Sequence, residues 1–276
     1  MKLLKLLAAL LCLMICAAPA AADSPAPLKV LAGTSLVEDI VRDLTDGRAE
    51  ILTLIPGASC PGHNDLKAVD LLFAAKADLV VIHSFQEDMT QLQSLMSAVK
   101  RPDLAPIVIP VEGSWLVPEA QKEAASAIAE ALIRARPDMA EMIRDKTRLR
   151  LVAVDRLAEE SLAALAPLRG RPVAVSERQS ELVKWAGLEV AAEYGRAEEM
   201  SARQVAGLVE ALRGRGLAAV IDNLQSGPEA GLPLARELGA PHLVLSNFSG
   251  HSPEAADYFG LVRLNVSQLS KLGAGR

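Results

Sequence analysis

The sequence predicts an α/β protein of two lobes, each with a mainly parallel four-stranded sheet, joined by a long rigid α-helix. Short apolar runs alternate with helix-length segments in two groups of four, a pattern typical of βαβ units. Between the groups, residues 119–168 contain almost no turn residues and are predicted to be helical. The hydrophobic fraction of 51% is sufficient for a substantial core.

The first 22 residues are typical of a secretory signal peptide. Two lysines precede an apolar run that is too short to span a bilayer, and Ala20-Ala21-Ala22 marks the expected cleavage site. A lipoprotein anchor at Cys12 or Cys16 is the less favoured alternative, because Ile15 before Cys16 is a poor fit to the small residue expected there. We therefore expect the mature chain, residues 23–276, in the periplasm and without a membrane span.

The first lobe, residues 23–118, is predicted from four apolar runs of strand length. Each run is separated from the next by a segment long enough for a helix. Ser35 and Glu38 form a capping-box pattern after the first run, which predicts a helix start there. The predicted strands are residues 28–31, 51–55, 79–82 and 107–111.

The helical segment, residues 119–168, is predicted to contain one long helix from Pro137 to Ala166. Apolar residues recur at helical spacing along one face of it. They are Leu151, Val154, Ala158, Leu162 and Leu165. The position of this helix between two groups of strands indicates a rigid link between lobes rather than a core helix of one large domain.

The second lobe, residues 169–276, is predicted from four further apolar runs. Three capping-box patterns predict helix starts, and Ser252 before Pro253 predicts a fourth. The predicted strands are residues 172–175, 188–192, 218–221 and 243–245, and the capping boxes begin at Ser176, Ser201 and Ser226.

The composition argues against nucleic acid as a partner. The chain has 29 Lys+Arg against 34 Asp+Glu, and only 3% of its residues are aromatic. Phosphate binding needs clustered positive charge, and single-strand binding commonly needs aromatic stacking platforms. Cleavage of the signal peptide would leave Cys60 as the only cysteine, so no disulfide is expected within one mature chain.

Residues that follow the predicted strands carry metal-binding chemistry. Parallel α/β sheets bind ligands at the carboxyl ends of their strands. After the second strand, a Cys-Pro-Gly-His turn precedes a predicted helix with Asn64 or Asp65 as its cap. Each candidate also has an ordinary structural interpretation, but their shared location favours a site suited to zinc, manganese or iron. The candidates are Cys60, His63, His83, Glu177, Asp222 and Asn247.

The chain resembles the solute-binding proteins of ABC importers for zinc, manganese and iron, whose two lobes are joined by a long helix. The resemblance covers nearly the whole mature chain and depends on the order and spacing of several segments. They include Leu54-Ile55-Pro56-Gly57-Ala58, Trp115-Leu116-Val117-Pro118-Glu119 and Ala256-Asp257-Tyr258-Phe259. The resemblance implies a monomeric carrier, not an enzyme, that holds one divalent transition-metal ion and delivers it to a membrane permease.

The four ligand positions of that family are only partly matched. The first falls on His63 or Cys60 and the third on Glu177, whereas the second, a histidine in the family, falls on Gly113. The fourth, an aspartate in the family, falls on Asn247. The resemblance therefore implies a variant site, in which a thiolate compensates for a missing imidazole. Its expected ligands are Cys60, His63, Glu177 and either Asn247 or Asp222, and His83 is expected to support the ligands without binding the ion.

Two other hypotheses remain open from the sequence. The same cleft would instead bind a chelated metal or a small organic ligand, which would explain the missing donors. An enzyme with Cys60 as nucleophile and His63 or His83 as base is a more distant alternative, because no oxyanion-forming motif accompanies these residues.

Overall fold

The structure is a computed structural model that describes residues 26–63 and 65–273, without the side chain of His63. The predicted signal peptide, residues 1–22, lies outside the described residues. Within the part of the chain that is described, no helix is both long and apolar enough to cross a membrane.

The described residues form two four-stranded sheets in which every neighbouring pair of strands is parallel. The strands are β1 Lys29–Thr34, β2 Glu50–Ile55, β3 Leu79–His83, β4 Ile107–Ile109, β5 Pro172–Ser176, β6 Glu189–Tyr194, β7 Ala219–Asn223 and β8 His242–Leu245. The strand orders are β2-β1-β3-β4 and β6-β5-β7-β8. The predicted fold class is confirmed, because buried parallel strands read as continuous apolar runs in the sequence.

Helices connect the strands in both lobes. They are α1 Ser35–Leu44, α2 Ala68–Ala74, α3 Thr90–Val99, α4 Pro118–Ala135, α5 Ala140–Leu165, α6 Ser180–Trp185, α7 Ala202–Leu212, α8 Leu232–Leu238 and α9 Tyr258–Ser270. The predicted capping box at Ser201 is confirmed: its hydroxyl accepts from the Gln204 backbone N–H at 3.3 Å, and the Gln204 side chain accepts from the Ser201 N–H at 2.8 Å.

Other predicted helix starts are displaced or wrong. The cap of α1 is Thr34, one residue before the predicted Ser35, and its hydroxyl accepts from the Val37 N–H. No helix starts at Ser226, because the Asn223 side chain accepts hydrogen bonds from the Ser226 backbone and hydroxyl and holds a turn there. Ser176 and Ser252 each precede a short 3₁₀ turn rather than an α-helix.

The two long helices α4 and α5 pack against each other between the lobes. A 3₁₀ turn at Pro137–Met139 separates them, so the long helix begins at Ala140 rather than at the predicted Pro137. Val154 and Leu165 are buried as their spacing predicts. Leu162 is 36% exposed, because the buried stripe of α5 passes through neighbouring positions instead. That stripe consists of Ile143, Arg150, Val154, Leu157, Ser161 and Leu165.

The largest hydrophobic core is shared by both lobes. It joins one face of each sheet to α1, α4, α5 and α9. Two smaller clusters cover the opposite faces, with α2 and α3 on the first sheet and α7 and α8 on the second. Both sheets are thus covered on both faces, and the lobes are tied together by packed apolar side chains.

Candidate ligand site between the lobes

One cavity of about 450 Å³ lies where the carboxyl ends of the two sheets meet. Residues that follow all eight strands line it. In the first lobe, strands β1 to β4 are followed by the lining residues Leu36, Cys60, Ser84 and Gly113, respectively. In the second lobe, strands β5 to β8 are followed by Glu177, Arg196, Gln225 and Asn247, respectively. The cavity therefore occupies the place at which parallel α/β sheets bind ligands.

Cys60 lies in the turn between β2 and α2 and lines the cavity. Its thiol is free and half-buried. His63 ends the 3₁₀ turn that follows, and its side chain lies outside the description. The prediction that Asn64 or Asp65 caps the next helix is wrong, since α2 begins at Ala68, after the cap residue Lys67.

Glu177 lies at the exposed edge of the cavity. It is the first residue of the 3₁₀ turn after β5, which brings its side chain to the carboxyl end of the sheet. Its carboxylate is 3.1 Å from the Arg178 guanidinium, and its side chain is 44% exposed. The carboxylate is therefore open to a cation that enters from solvent.

Asn247 follows β8 and is half-buried in the cavity wall. Its side-chain oxygen accepts a hydrogen bond from the Gln179 amide at 2.9 Å, and its backbone N–H donates to Gln225 at 3.0 Å. An amide oxygen has a second lone pair, so it keeps capacity for a further partner. As a neutral donor, it is weaker toward a metal cation than the aspartate of the family pattern.

Gly113 lines the cavity from the loop after β4 and cannot be replaced by a side chain without strain. Its φ of +78° lies in the left-handed region, and an added Cβ would lie 2.6 Å from a carboxylate oxygen of Glu181. The same oxygen accepts from the Ser114 backbone N–H at 2.5 Å. A histidine at this position would therefore require the loop backbone and the Glu181 side chain to move.

His83 ends β3 and lines the cavity, although only 4% of it is exposed. Its Nε2 lies 2.8 Å from the Thr34 hydroxyl, and its ring packs against Trp115 with 3.6 Å between ring centroids and a tilt of 35°. Burial lowers the pKa of His83 to about 3. The imidazole is therefore neutral at physiological pH and fixes the positions of Thr34 and Trp115.

Asp222 does not line the cavity with the other predicted ligands. It is fully buried, and its two oxygens accept from the Tyr194 hydroxyl at 2.8 Å and from the Gly231 N–H at 2.9 and 3.0 Å. His242 Nε2 lies 2.6 Å from it as well. Burial, followed by the nearby Asp222 charge, raises the pKa of Tyr194 above its usual range. Asp222 is thus the centre of a polar network inside the second lobe.

Within the described residues, no group of three or more His, Cys, Asp and Glu side chains is arranged to hold a metal ion. Polar cavity residues outside the set of ligands predicted from the sequence include three from the second lobe. They are Arg196, Asn223 and Gln225. Each lies at or just after the end of a strand, which is the signal that identifies them. Arg196 is not identified from the sequence, because β6 ends at Tyr194, two residues beyond the predicted end of the strand.

Two parallel sheets that face one cavity across a long helical link define the class of two-lobed solute-binding proteins. The chain belongs to the ZnuA family, described as zinc-uptake complex component A, periplasmic, whose model matches residues 30–272. It is therefore a periplasmic metal-binding protein of the ZnuA type. A search by sequence among curated proteins found no match.

Solved structures show the same fold at low sequence identity. The periplasmic metal-binding protein of Candidatus Liberibacter asiaticus is 14% identical, with a TM-score of 0.74 over 88% of this chain and 98% of that chain. A crystal structure of ZnuA is 18% identical, with a TM-score of 0.75 over 90% and 99% of the two chains. The periplasmic zinc-binding protein TroA of Treponema pallidum is 17% identical, with a TM-score of 0.75 over 90% and 99%.

Proposed function

We propose that this protein captures one divalent transition-metal ion between its lobes and delivers it to the membrane permease of an ABC importer. Zinc is the favoured ion, with manganese and iron(II) as the alternatives. The family supports a metal carrier. Among the similar structures, one is a zinc-bound ZnuA deletion mutant and another is a manganese-bound periplasmic protein. The carrier acts in the periplasm as a monomer, after its signal peptide is removed.

The observation that carries this proposal is the convergence of three predicted ligands on one cavity. Cys60 comes from the first lobe, and Glu177 and Asn247 come from two loops of the second. We propose these three and His63 as the ligands, because one thiolate, one imidazole and two oxygen donors complete four-coordination, and the thiolate favours zinc. Asp222 is left out of the set because it does not line the cavity and is already hydrogen-bonded within its own network.

The role proposed is capture and release rather than catalysis. An enzyme would need a base beside Cys60, and His83 is poorly suited to this task. Its pKa of about 3 makes it a weak base, and its Nε2 is already within hydrogen-bond distance of Thr34.

Native mass spectrometry of the mature chain, kept reduced and titrated with zinc, manganese and iron(II), tests the proposal. We expect one tightly bound ion, with binding weakened in Cys60→Ser and in His63→Ala. Ser59→Ala is the matched control, since it alters the same turn without removing a proposed ligand. Unchanged metal binding in both ligand variants would exclude this ligand set. If the wild type binds none of the ions, the hypothesis that it carries free metal ions is excluded.

A further inference from the structure

The cavity is larger than a single bound ion requires. Its volume is about 450 Å³. A water molecule occupies about 30 Å³ in the liquid, and pockets for small organic ligands begin at about 300 Å³. An ion held by four side chains would leave most of this space unfilled, so the cavity has room for an organic ligand beside the metal.

The cavity also contains a buried hydrogen-bond donor without an acceptor. Asn223 is 1% exposed, and its side-chain oxygen accepts from the Gln225 N–H at 2.9 Å and from Ser226. Those contacts fix the orientation of the amide, whose NH₂ group has no hydrogen-bond partner among the described residues. A buried unsatisfied donor destabilises a protein unless a ligand or water supplies an acceptor.

Arg196 provides a second donor group in the same cavity. Its side chain is 21% exposed, and its guanidinium forms long ion pairs of 3.9 Å with the carboxylates of Glu198 and Glu199 without a hydrogen bond to either. Its Nε is buried and has no hydrogen-bond partner in the described part of the chain. The guanidinium lies near Gly62, within the turn that carries Cys60. A ligand with carboxylate oxygens would satisfy this group next to the proposed metal position.

The cavity contains further charged residues and an apolar wall in addition to these donor groups. The remaining charged residues of the cavity are Glu112, Glu177, Glu181 and Arg178, and the three carboxylates would attract a metal cation. Phe85 is 51% exposed and lines the same cavity as the buried Phe248. Acidic side chains, unpaired donors and apolar surface thus occur together, which suits a ligand with a cationic metal, acceptor oxygens and a carbon framework.

We propose that the physiological ligand is a metal ion complexed by a small carboxylate-bearing chelator, with Asn223 and Arg196 binding the chelator's oxygens. This inference rests on the proposed function, because the metal of the complex occupies the site of Cys60 and Glu177. In the complex, chelator oxygens take the place of some of the side-chain donors proposed for the free ion, and Gly113 presents no side chain that would oppose them.

Zinc alone and zinc complexed with citrate, nitrilotriacetate or histidine serve as the probes, with each chelator without zinc as the reference. Calorimetry gives the affinities for the mature chain, and native mass spectrometry gives the composition of the bound species. We expect at least one complex to bind as a unit, with one zinc and one chelator per chain, about tenfold or more tighter than zinc alone.

Two variants test the assigned residues. Asn223→Asp keeps the oxygen that holds the turn and replaces the free donor by an acceptor. Arg196→Gln removes the charge, and Arg203→Gln, an exposed arginine on α7, is its matched control. We expect each cavity variant to weaken binding of the complex by roughly tenfold or more without weakening the binding of zinc alone. Thermal unfolding of each variant confirms that the fold is retained.

Each outcome separates this inference from the proposed function. If zinc binds tightly and all three chelators only compete for it, the inference is overturned and the proposed function stands. If neither zinc nor any complex binds, both are overturned. A chelator that binds equally well without zinc overturns the inference, and it overturns the proposed function as well only if zinc alone does not bind.

Discussion

The resemblance to metal carriers implies a second histidine at Gly113, but the backbone there has a conformation that favours glycine. Its φ is +78°, and Glu181 fills the space that a Cβ would need. Glu181 belongs to the second lobe and is held by the Ser114 N–H of the first. The conformation at Gly113 is therefore coupled to a contact between the lobes, which a substitution to histidine would disturb.

We expect Gly113→Ala to destabilise the protein more than Gly47→Ala. Gly47 has a similar φ of +69° and no atom within 4 Å of an added Cβ, so only the backbone penalty of about 1–2 kcal/mol applies there. At Gly113, the contact with the Glu181 carboxylate adds to that penalty. Urea denaturation measures both free energies of unfolding. Equal losses would show that Glu181 moves aside without cost.

Stability should fall at acidic pH because His83 is buried in its neutral form. The unfolded chain protonates this residue below its ordinary pKa of 6.5, whereas burial lowers the pKa in the folded protein to about 3. The folded state is thus fully favoured above about pH 6.5 and loses this advantage as the pH falls toward 3. From pH 7 to pH 5, the loss from this group amounts to about 2 kcal/mol.

The measurement compares the pH dependence of unfolding in wild type and His83→Phe. The variant retains an aromatic ring against Trp115 but has no titrating group, so its free energy of unfolding should fall less between pH 7 and pH 5. Other titrating groups contribute equally to both proteins. An identical pH profile would contradict the buried neutral state of His83.

At the scale of elements, Arg150 attaches the long helix α5 to the first lobe. Its side chain is 1% exposed, and its two terminal nitrogens lie 2.6 Å from Asp39 and 2.9 Å from Asp43, both on α1. The rings of Phe259 and Tyr258 on α9 lie beside the guanidinium, at 5.4 and 5.9 Å. One side chain of α5 therefore contacts helices that pack on both sheets.

Arg150→Met should lower the free energy of unfolding by about 3–5 kcal/mol, because it leaves the carboxyl of Asp39, whose pKa burial already raises, without its partner. Arg156→Met is the control on the same helix, since Arg156 pairs with Glu160 on the exposed face and its loss should cost no more than about 1 kcal/mol. The double variant Arg150→Met with Asp39→Asn should recover part of the loss. Equal costs at the two arginines, measured in urea, would refute this role.

The sequence predicts strands that are covered on both faces better than it predicts the starts of helices. All eight strands are found because parallel strands covered by helices must be apolar throughout. Helix starts are less predictable, since a serine followed by Glu or Gln also occurs in turns. At Ser226, the competing partner is the Asn223 side chain, a tertiary choice that the local pattern does not reveal.

The location of the site is predictable for a similar reason. Residues at the carboxyl ends of parallel strands meet at one edge, so the positions of Cys60, Glu177 and Asn247 in the cavity follow from the strand prediction. Whether such a residue is free to bind a ligand or has only a structural role depends on partners that are distant in the chain. Asp222 lies near the carboxyl end of β7, where a ligand could also lie, but its oxygens accept hydrogen bonds from Tyr194 and Gly231 within the second lobe.

At the scale of the whole molecule, the lobes are held together by more than the helical link. The main core includes strands of both sheets and the helices between them. Across the cleft, Gln225 donates to the Gly57 carbonyl at 2.7 Å. Gly57 itself leaves no space, since an added Cβ would lie 1.8 Å from the Ser249 carbonyl oxygen. A wide opening of the cleft would have to break these contacts.

Loading should therefore change the overall shape very little. Hinge-bending binding proteins close around their ligands by rotation of whole domains, which requires an interface that separates easily. Here a rotation of that kind would separate apolar residues shared by both sheets, and close-packed interiors resist such displacement. We expect small-angle X-ray scattering of the mature chain to give the same radius of gyration with and without zinc, while amide exchange slows in the Cys60 turn. Cys60→Ser with zinc is the control for effects of the ion alone. A clearly larger radius for the metal-free protein would mean that the shared core opens, and the rigid-link interpretation of α5 would then be wrong.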